Sequence, residues 1–188
     1  GVVTILLCPG PRPRNAAATR TAILDAARER FAAESYDDVG MRDIARDVGV
    51  DAALISRYFG GKEGLFREVL FYQKKADVFR EPQTRAELPA FLAEMVANDV
   101  DDHLRNRMKQ FIIMLRSASS PTAGEIIRDL VHRDVLEPLA ALIGGEDAEM
   151  RANMLLSTLM GIGVLRSIMQ IDALGDTDED RVECTERF

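Results

Sequence analysis

In residues 51–62, DAALISRYFGGK, the side chains able to do chemistry are small, polar or cationic: Asp51, Ala52, Ala53, Ser56, Arg57, Tyr58 and Lys62. No nucleophile, base and orienting group stand together here or elsewhere in the chain, so catalysis has no visible agent and no cofactor is implied. These residues are suited instead to recognition. Arg57 and Ser56 can exchange hydrogen bonds with base edges. Ala52 and Ala53 can touch thymine methyl groups, and the major groove of B-DNA displays both kinds of feature. Lys62 opens a helix, where its ammonium, the helix dipole and free backbone N–H groups all favour an anion such as a phosphate. Tyr58 and the upstream Arg42 are further phosphate candidates.

Such a face works only if the short helix carrying it is held from behind. Val50, Ile55 and Phe59 can anchor residues 52–59 from below, leaving 51, 52, 53, 56 and 57 outward. Asp51 is placed to cap this helix. The preceding helix, Met41–Val48, has Met41, Ile44, Ala45 and Val48 on one face, with the small Ala45 at the crossing. Gly49 makes the turn, where a positive φ is expected. Two short helices around a glycine turn form a helix-turn-helix pattern. An earlier helix, expected to begin at a Thr19 N-cap, carries Ile23, Leu24, Ala27 and Phe31. A later one begins at Lys62, after Gly60 and Gly61, and is expected to reach Phe79.

After the linker REPQTR, helices are expected over 86–102, 104–118, 121–143 and 147–171, with a cap and a proline from SSPT and a kink at Pro138. No segment reads as a strand. The fold class is therefore all-α: a three-helix N-terminal domain and a helical body. The expected boundaries are a flexible lead over 1–18, a DNA-binding domain over 19–66 and a body over 67–188.

Charge follows the same division. The chain is −7 overall, but residues 1–75 hold 12 Lys+Arg against 10 Asp+Glu, and the remainder 12 against 21. An even-to-basic front on an acidic body suits a nucleic-acid reader better than the sum suggests. Cys8 and Cys184 form neither a disulfide framework nor a metal spacing, which fits a cytoplasmic setting. The apolar run in GVVTILLCPG lacks basic flanks and is too short for a signal peptide or a span. The run 153–171 is interrupted by Arg166 and fits a buried helix better than a membrane helix. Arg12 and Arg14 in the lead could form a minor-groove arm. GGKEG is not a phosphate loop, since Ser56 stands where its first Gly belongs. HRDVLEPL is not a kinase loop, since Leu139 stands in place of Asn. His103 and His132 are isolated, so no metal site is expected.

Residues 19–66, TRTAILDAARERFAAESYDDVGMRDIARDVGVDAALISRYFGGKEGLF, resemble the DNA-binding domain of the TetR family of bacterial transcriptional repressors. The shared marks are IL.AA...F in the first helix, IA...GV across the turn and YF..KE.LF after it. Three positions differ from common family usage: Gly40 replaces a capping Ser or Thr, Asp51 a Ser, and Ser56 a Tyr. The resemblance implies a homodimer on a palindromic double-stranded DNA operator, with an inducer cavity in the body. Seven of the eight Met lie after residue 90. Phe91, Met95, Met108, Phe111, Met114 and Met154 are the candidate lining, suited to a small apolar ligand. In the family the last two long helices form the dimer interface, and Ser157, Met160, Gly161, Val164, Leu165 and Ile168 are the candidates here. Gly161 costs about 1 kcal/mol in a helix interior, which a close backbone approach would justify. Together these imply a cytoplasmic transcriptional repressor relieved by a small apolar ligand, with no membrane partner. The alternative is a small-molecule-sequestering protein whose DNA-reading domain has degenerated.

Overall fold

A computed structural model of the chain describes residues 13–71, 82, 84–97, 102–169 and 171, without the side chains of 13–15, 94–97, 102–107, 166 and 167. The order is α1 (Pro13–Ala33), α2 (Met41–Val48), α3 (Ala52–Phe59), α4 (Lys62–Phe71), α5 (Leu88–Ala97), α6 (Asp102–Ser117), α7 (Pro121–Val131), α8 (Glu137–Ile143) and α9 (Ala148–Gly163). π-Helical turns follow α7 at His132–Leu136 and α9 at Val164–Ile168. Among the described residues there is no strand, and no helix is long and apolar enough to cross a membrane. The fold is all-α, and the chain separates into two compact units, Gly1–Tyr72 and Gln73–Phe188.

The first unit is built on α1, which begins at Pro13 and not at Thr19. A proline suits the first helical position because its missing N–H has no intrahelical partner there, and the AAA run that follows propagates helix well. Ile23, Ala27 and Phe31 are fully buried at helical spacing. Below them Phe31 meets Phe66 edge to face at 5.0 Å, and Tyr36 meets Phe66 in the same way at 5.0 Å. These rings join α1, the α1–α2 loop and α4 into one core. Ile44 and Ala45 of α2, with Ile55 and Phe59 of α3, complete it.

The glycines here have distinct tasks. Gly49, at φ +75°, donates to the carbonyls of Ala45 and Arg46, and Val50 N–H also reaches Ala45 at 3.0 Å. This left-handed C-cap ends α2 and turns the chain into α3. Gly64 serves by its bareness: a Cβ there would lie 1.8 Å from the carbonyl oxygen of Phe59. The first turn of α4 thus rests directly on the end of α3.

In the second unit, Ser120 caps α7 by accepting a hydrogen bond from Ala123 N–H, and Pro121 occupies its first turn. The helix expected over 121–143 is divided. Just before Pro138 the backbone widens into a π turn, in which Glu137 N–H bonds to His132 C=O. A proline ring would press on the carbonyl four residues earlier, and the wider turn moves that carbonyl away. Leu88, Leu92, Leu139, Ile143 and Ala152 form the core of α5, α8 and α9, with Phe91, Leu136, Leu155 and Leu159 packed around it. The run 153–171, expected to be a buried helix, has no fully buried residue among those described. The helix expected over 86–102 begins at Leu88, with the stretch after Ala97 outside the described residues; that expected over 147–171 is α-helical over Ala148–Gly163; and the expected extension of α4 to Phe79 falls outside the described residues.

Gly64→Ala should destabilise the first unit by about 2 kcal/mol or more, because a methyl group would be forced onto backbone. Urea denaturation of the purified variant would measure this. Gly40→Ala should cost far less, since its Cβ would meet only the movable carboxylate of Asp43.

Candidate nucleic-acid interface

The outer face of α3 is set by its two ends. Asp51 is the N-cap, and its Oδ1 accepts from Ala53 N–H at 2.7 Å, so its charge is engaged with the helix start. Gly60, at φ +74°, closes the other end by donating to Ser56 C=O. Between them Ile55 and Phe59 are buried, while Ala53, Ser56 and Arg57 are exposed and Ala52 is half-buried. Ala53, Ser56 and Arg57 stand at i, i+3 and i+4, on one face. That face has one guanidinium, one hydroxyl and methyl groups, which suits a groove lined with acceptors, donors and thymine methyls.

The arginines fall into two groups. Arg20 pairs with Glu68 and also lies over the Phe59 ring at 4.8 Å. Arg30 grips both oxygens of Asp47, at 2.6 and 2.9 Å, joining α1 to α2, and also reaches Glu34. Arg46 pairs with Asp43 on its own helix at 2.5 Å. By contrast Arg42, Arg57 and Arg67 are exposed and enter no ion pair with a described residue. Arg57 lies over the ring of Tyr58 at 5.7 Å, and Tyr58 is half-buried against Phe59, 6.4 Å between ring centres. Lys62, the first residue of α4, is half-buried with its Nζ 4.5 Å from the centre of the Tyr36 ring. Burial lowers its pKa from the ordinary value, and Asp37 and Asp38 pull the other way. Burial raises the Tyr36 phenol, helped by Glu63 and Asp37.

Sequence reasoning selected the face but missed its supports. Tyr36 and Gly64 carry no recognition chemistry of their own. Only the approach of α4 to α3, and of the α1–α2 loop to Lys62, gives them meaning. Arg12 lies outside the described residues, and so does the side chain of Arg14.

In the second unit, Phe111 is buried, and Phe91, Met108 and Met114 are half-buried. A Cβ at Gly163 would meet Phe111 at 3.5 Å and Met108 at 3.7 Å, so α6 and the end of α9 are in close contact there. The Met95 side chain lies outside the described residues. Met154, expected to line a cavity, is instead 65% exposed, because it shares the outward face of α9 with Met150. Ser157 and Gly161 are also exposed, Met160 and Val164 half-buried, and Leu165 and Ile168 exposed within the π turn. Asn153, Ser157 and Thr158 each donate to the carbonyl four residues back, at 2.8 to 3.0 Å. Nothing lies within 4 Å of a Cβ built at Gly161. Among the described residues no group of His, Cys, Asp or Glu could hold a metal ion.

Residues 23–69 match the family model described as bacterial regulatory proteins, tetR family, and residues 87–185 match that of the tetracyclin repressor-like C-terminal domain. No curated protein sequence matches the chain. Several solved structures share the fold. NalD, the secondary repressor of the MexAB-OprM multidrug efflux pump in Pseudomonas aeruginosa, is 21% identical, with 92% of this chain and 94% of that one covered at a TM-score of 0.67. GusR of Salmonella enterica is 22% identical, with 90% and 92% covered and a TM-score of 0.67. A transcriptional regulator (TerR/AcrR family) from Aquifex aeolicus VF5 is 16% identical, with 90% and 96% covered and a TM-score of 0.66.

The hydrogen bonds from Arg30 hold the Asp47 carboxyl below the usual carboxylate range. A lowered carboxylate contributes stability above its unfolded pKa and loses it as pH falls through the folded one. Asp47→Asn should therefore melt below wild type at pH 7, with the gap closing as pH falls below about 4. Thermal unfolding followed by circular dichroism across pH would show it. A gap independent of pH would mean that the ion pair contributes nothing.

Proposed function

The chain belongs to the TetR family of bacterial regulatory proteins, a family of DNA-binding regulators and not enzymes, and on that footing we propose that it is a dimeric cytoplasmic repressor released from its operator by a small apolar ligand. The observation that carries the DNA-reading part is the face of α3, on which the unpaired Arg57 stands beside Ser56 and Ala53, buttressed by Ile55 and Phe59. In this proposal α3 enters the major groove. Arg57 and Ser56 contact base edges, Ala52 and Ala53 contact methyl groups, and Asp51 holds the helix start. Arg42, Tyr58 and Lys62 take phosphates. Two copies related by a two-fold axis would read half-sites about one helical turn, or about 34 Å, apart.

The dimer contact is assigned to α9 and the turn after it. Met154, Leu165 and Ile168 are 65%, 36% and 47% exposed, on a helix whose Gly161 has open space around it. Exposed large apolar groups in a row are costly in water and favour burial against a second copy. The ligand is assigned to the side of α6 that carries Met108, Phe111 and Met114, with Phe91 and Met95 from α5. Thioether and aromatic lining suits an apolar molecule of adaptable shape. Such a ligand weakens DNA binding only as far as it prefers the state that does not fit the operator.

The test begins with genomic DNA retained by the purified protein and sequenced at two salt concentrations. A few palindromic fragments, lost as salt rises, are expected. On the operator so found, Arg57→Ala should cost about tenfold to a hundredfold in affinity and relax the sequence preference at one base pair. Loss of affinity for all sequences alike would make Arg57 a phosphate contact. Gly161→Ala separates a free helix from an apposed one. On a free helix alanine stabilises by about 0.5–1 kcal/mol. At a close contact it weakens the dimer, and sedimentation should show a dissociation constant raised about tenfold.

A further inference from the structure

We infer that Tyr36 is a positioning residue for DNA binding: its ring, locked in the core, fixes the Lys62 ammonium where a phosphate must meet it. This rests on the proposed reading in which Lys62 contacts the operator backbone. Tyr36 is 6% exposed, and its ring is held from two sides. Phe66 meets it edge to face at 5.0 Å with the planes at 69°, and Phe31 lies parallel to it at 6.0 Å. The loop around it is also tied. Ser35 Oγ donates to Asp38 at 2.7 Å, Asp38 N–H and Val39 N–H both reach Ser35 C=O, and Val39 is buried. A ring held this way is a fixed surface.

Over that surface stands Lys62, with Nζ 4.5 Å from the ring centre. A lysine has four rotatable bonds and normally samples many positions in water. The face of an aromatic ring attracts the cation and removes much of that freedom. The ammonium has no carboxylate ion pair among the described residues, so its three donors remain for another anion. Burial lowers the pKa of this ammonium, and the charges of Asp37 and Asp38 oppose that. Lys62 is also the first residue of α4, where Gly61 C=O accepts from Leu65 N–H. Pre-ordering a side chain in its bound geometry lowers the entropy lost on binding. Tyr36 touches no DNA in this scheme and acts through Lys62.

The full-length dimer and its recovered operator are the material for the test. Tyr36→Leu removes the ring face and could unfold a buried site, so the decisive series keeps the shape. Tyr36→Phe is followed by phenylalanines carrying one, two and three ring fluorines at position 36, each of which weakens the ring's hold on a cation. Tyr36→Phe should bind as wild type does. Along the fluorinated series, affinity should fall progressively by about three- to tenfold at unchanged melting temperature. In a Lys62→Gln background the series should have no effect. A flat series on intact Lys62, or a fall of the same size with Lys62→Gln, would overturn the assignment. If Lys62→Gln by itself changes neither affinity nor salt slope, the phosphate contact is wrong and the inference falls with it. A specific operator bound normally by Lys62→Gln and lost with Arg57→Ala would show that groove reading survives that failure.

Discussion

An eight-residue helix does not hold its shape in water, because nucleation costs more than two turns of hydrogen bonds return. Helix α3, proposed to read DNA, has that length, and the first unit is organised around this constraint. Asp51 and Gly60 satisfy its ends. Ile55 and Phe59 seat it in the core. Gly64 then brings the backbone of α4 onto the Phe59 carbonyl, so the following helix acts as a stop. Taken together these fix a surface on which only small and polar groups face out. The stability of the helix comes from its inner side and its ends, which leaves the outer residues free to be chosen for recognition.

Charge is distributed with similar economy. Arg20, Arg30 and Arg46 are matched by Glu68, Asp47 and Asp43 within the unit. This explains why a DNA-reading domain can be close to neutral. The first two pairs hold helices together and the third lies within α2, and only a few cations face outward. A net charge counts both groups alike and so understates the local field at the face. The −7 of the whole chain carries no contrary message, since the acidic excess lies after residue 75.

Much of the first unit was legible from residue types alone. Gly49, Asp51 and Gly60 mark helix ends through conformations and hydrogen bonds that few other residues provide, and the buried rows at Ile23, Ala27, Phe31 and Ile55, Phe59 follow from periodicity. Other features depend on contacts far apart in sequence. Gly64 resembles any loop-edge glycine until Phe59 is placed against it. Tyr36 is an ordinary core aromatic until Lys62 is above it. In the second unit a disturbance of the helix at Pro138 was legible, but its form as a π turn was not, since a proline dictates a disturbance and not its form. Met154 shows the limit of composition: methionine suits a cavity and an outer face equally, and only the helix phase decides.

The hydroxyl and amide groups on α9 lend that helix a property its letters conceal. Asn153, Ser157 and Thr158 look polar on any hydropathy scale, yet each spends a donor on the carbonyl one turn behind it. Ser157 and Thr158 then turn mainly methylene, methyl and lone pairs to a neighbour, while Asn153 keeps one N–H and its amide oxygen. Apart from Asn153, a surface of this kind holds no spare donor when water leaves it. Its drying therefore costs less than the sequence implies, and two such helices could slide or rotate against each other by small steps without breaking a specific polar lock.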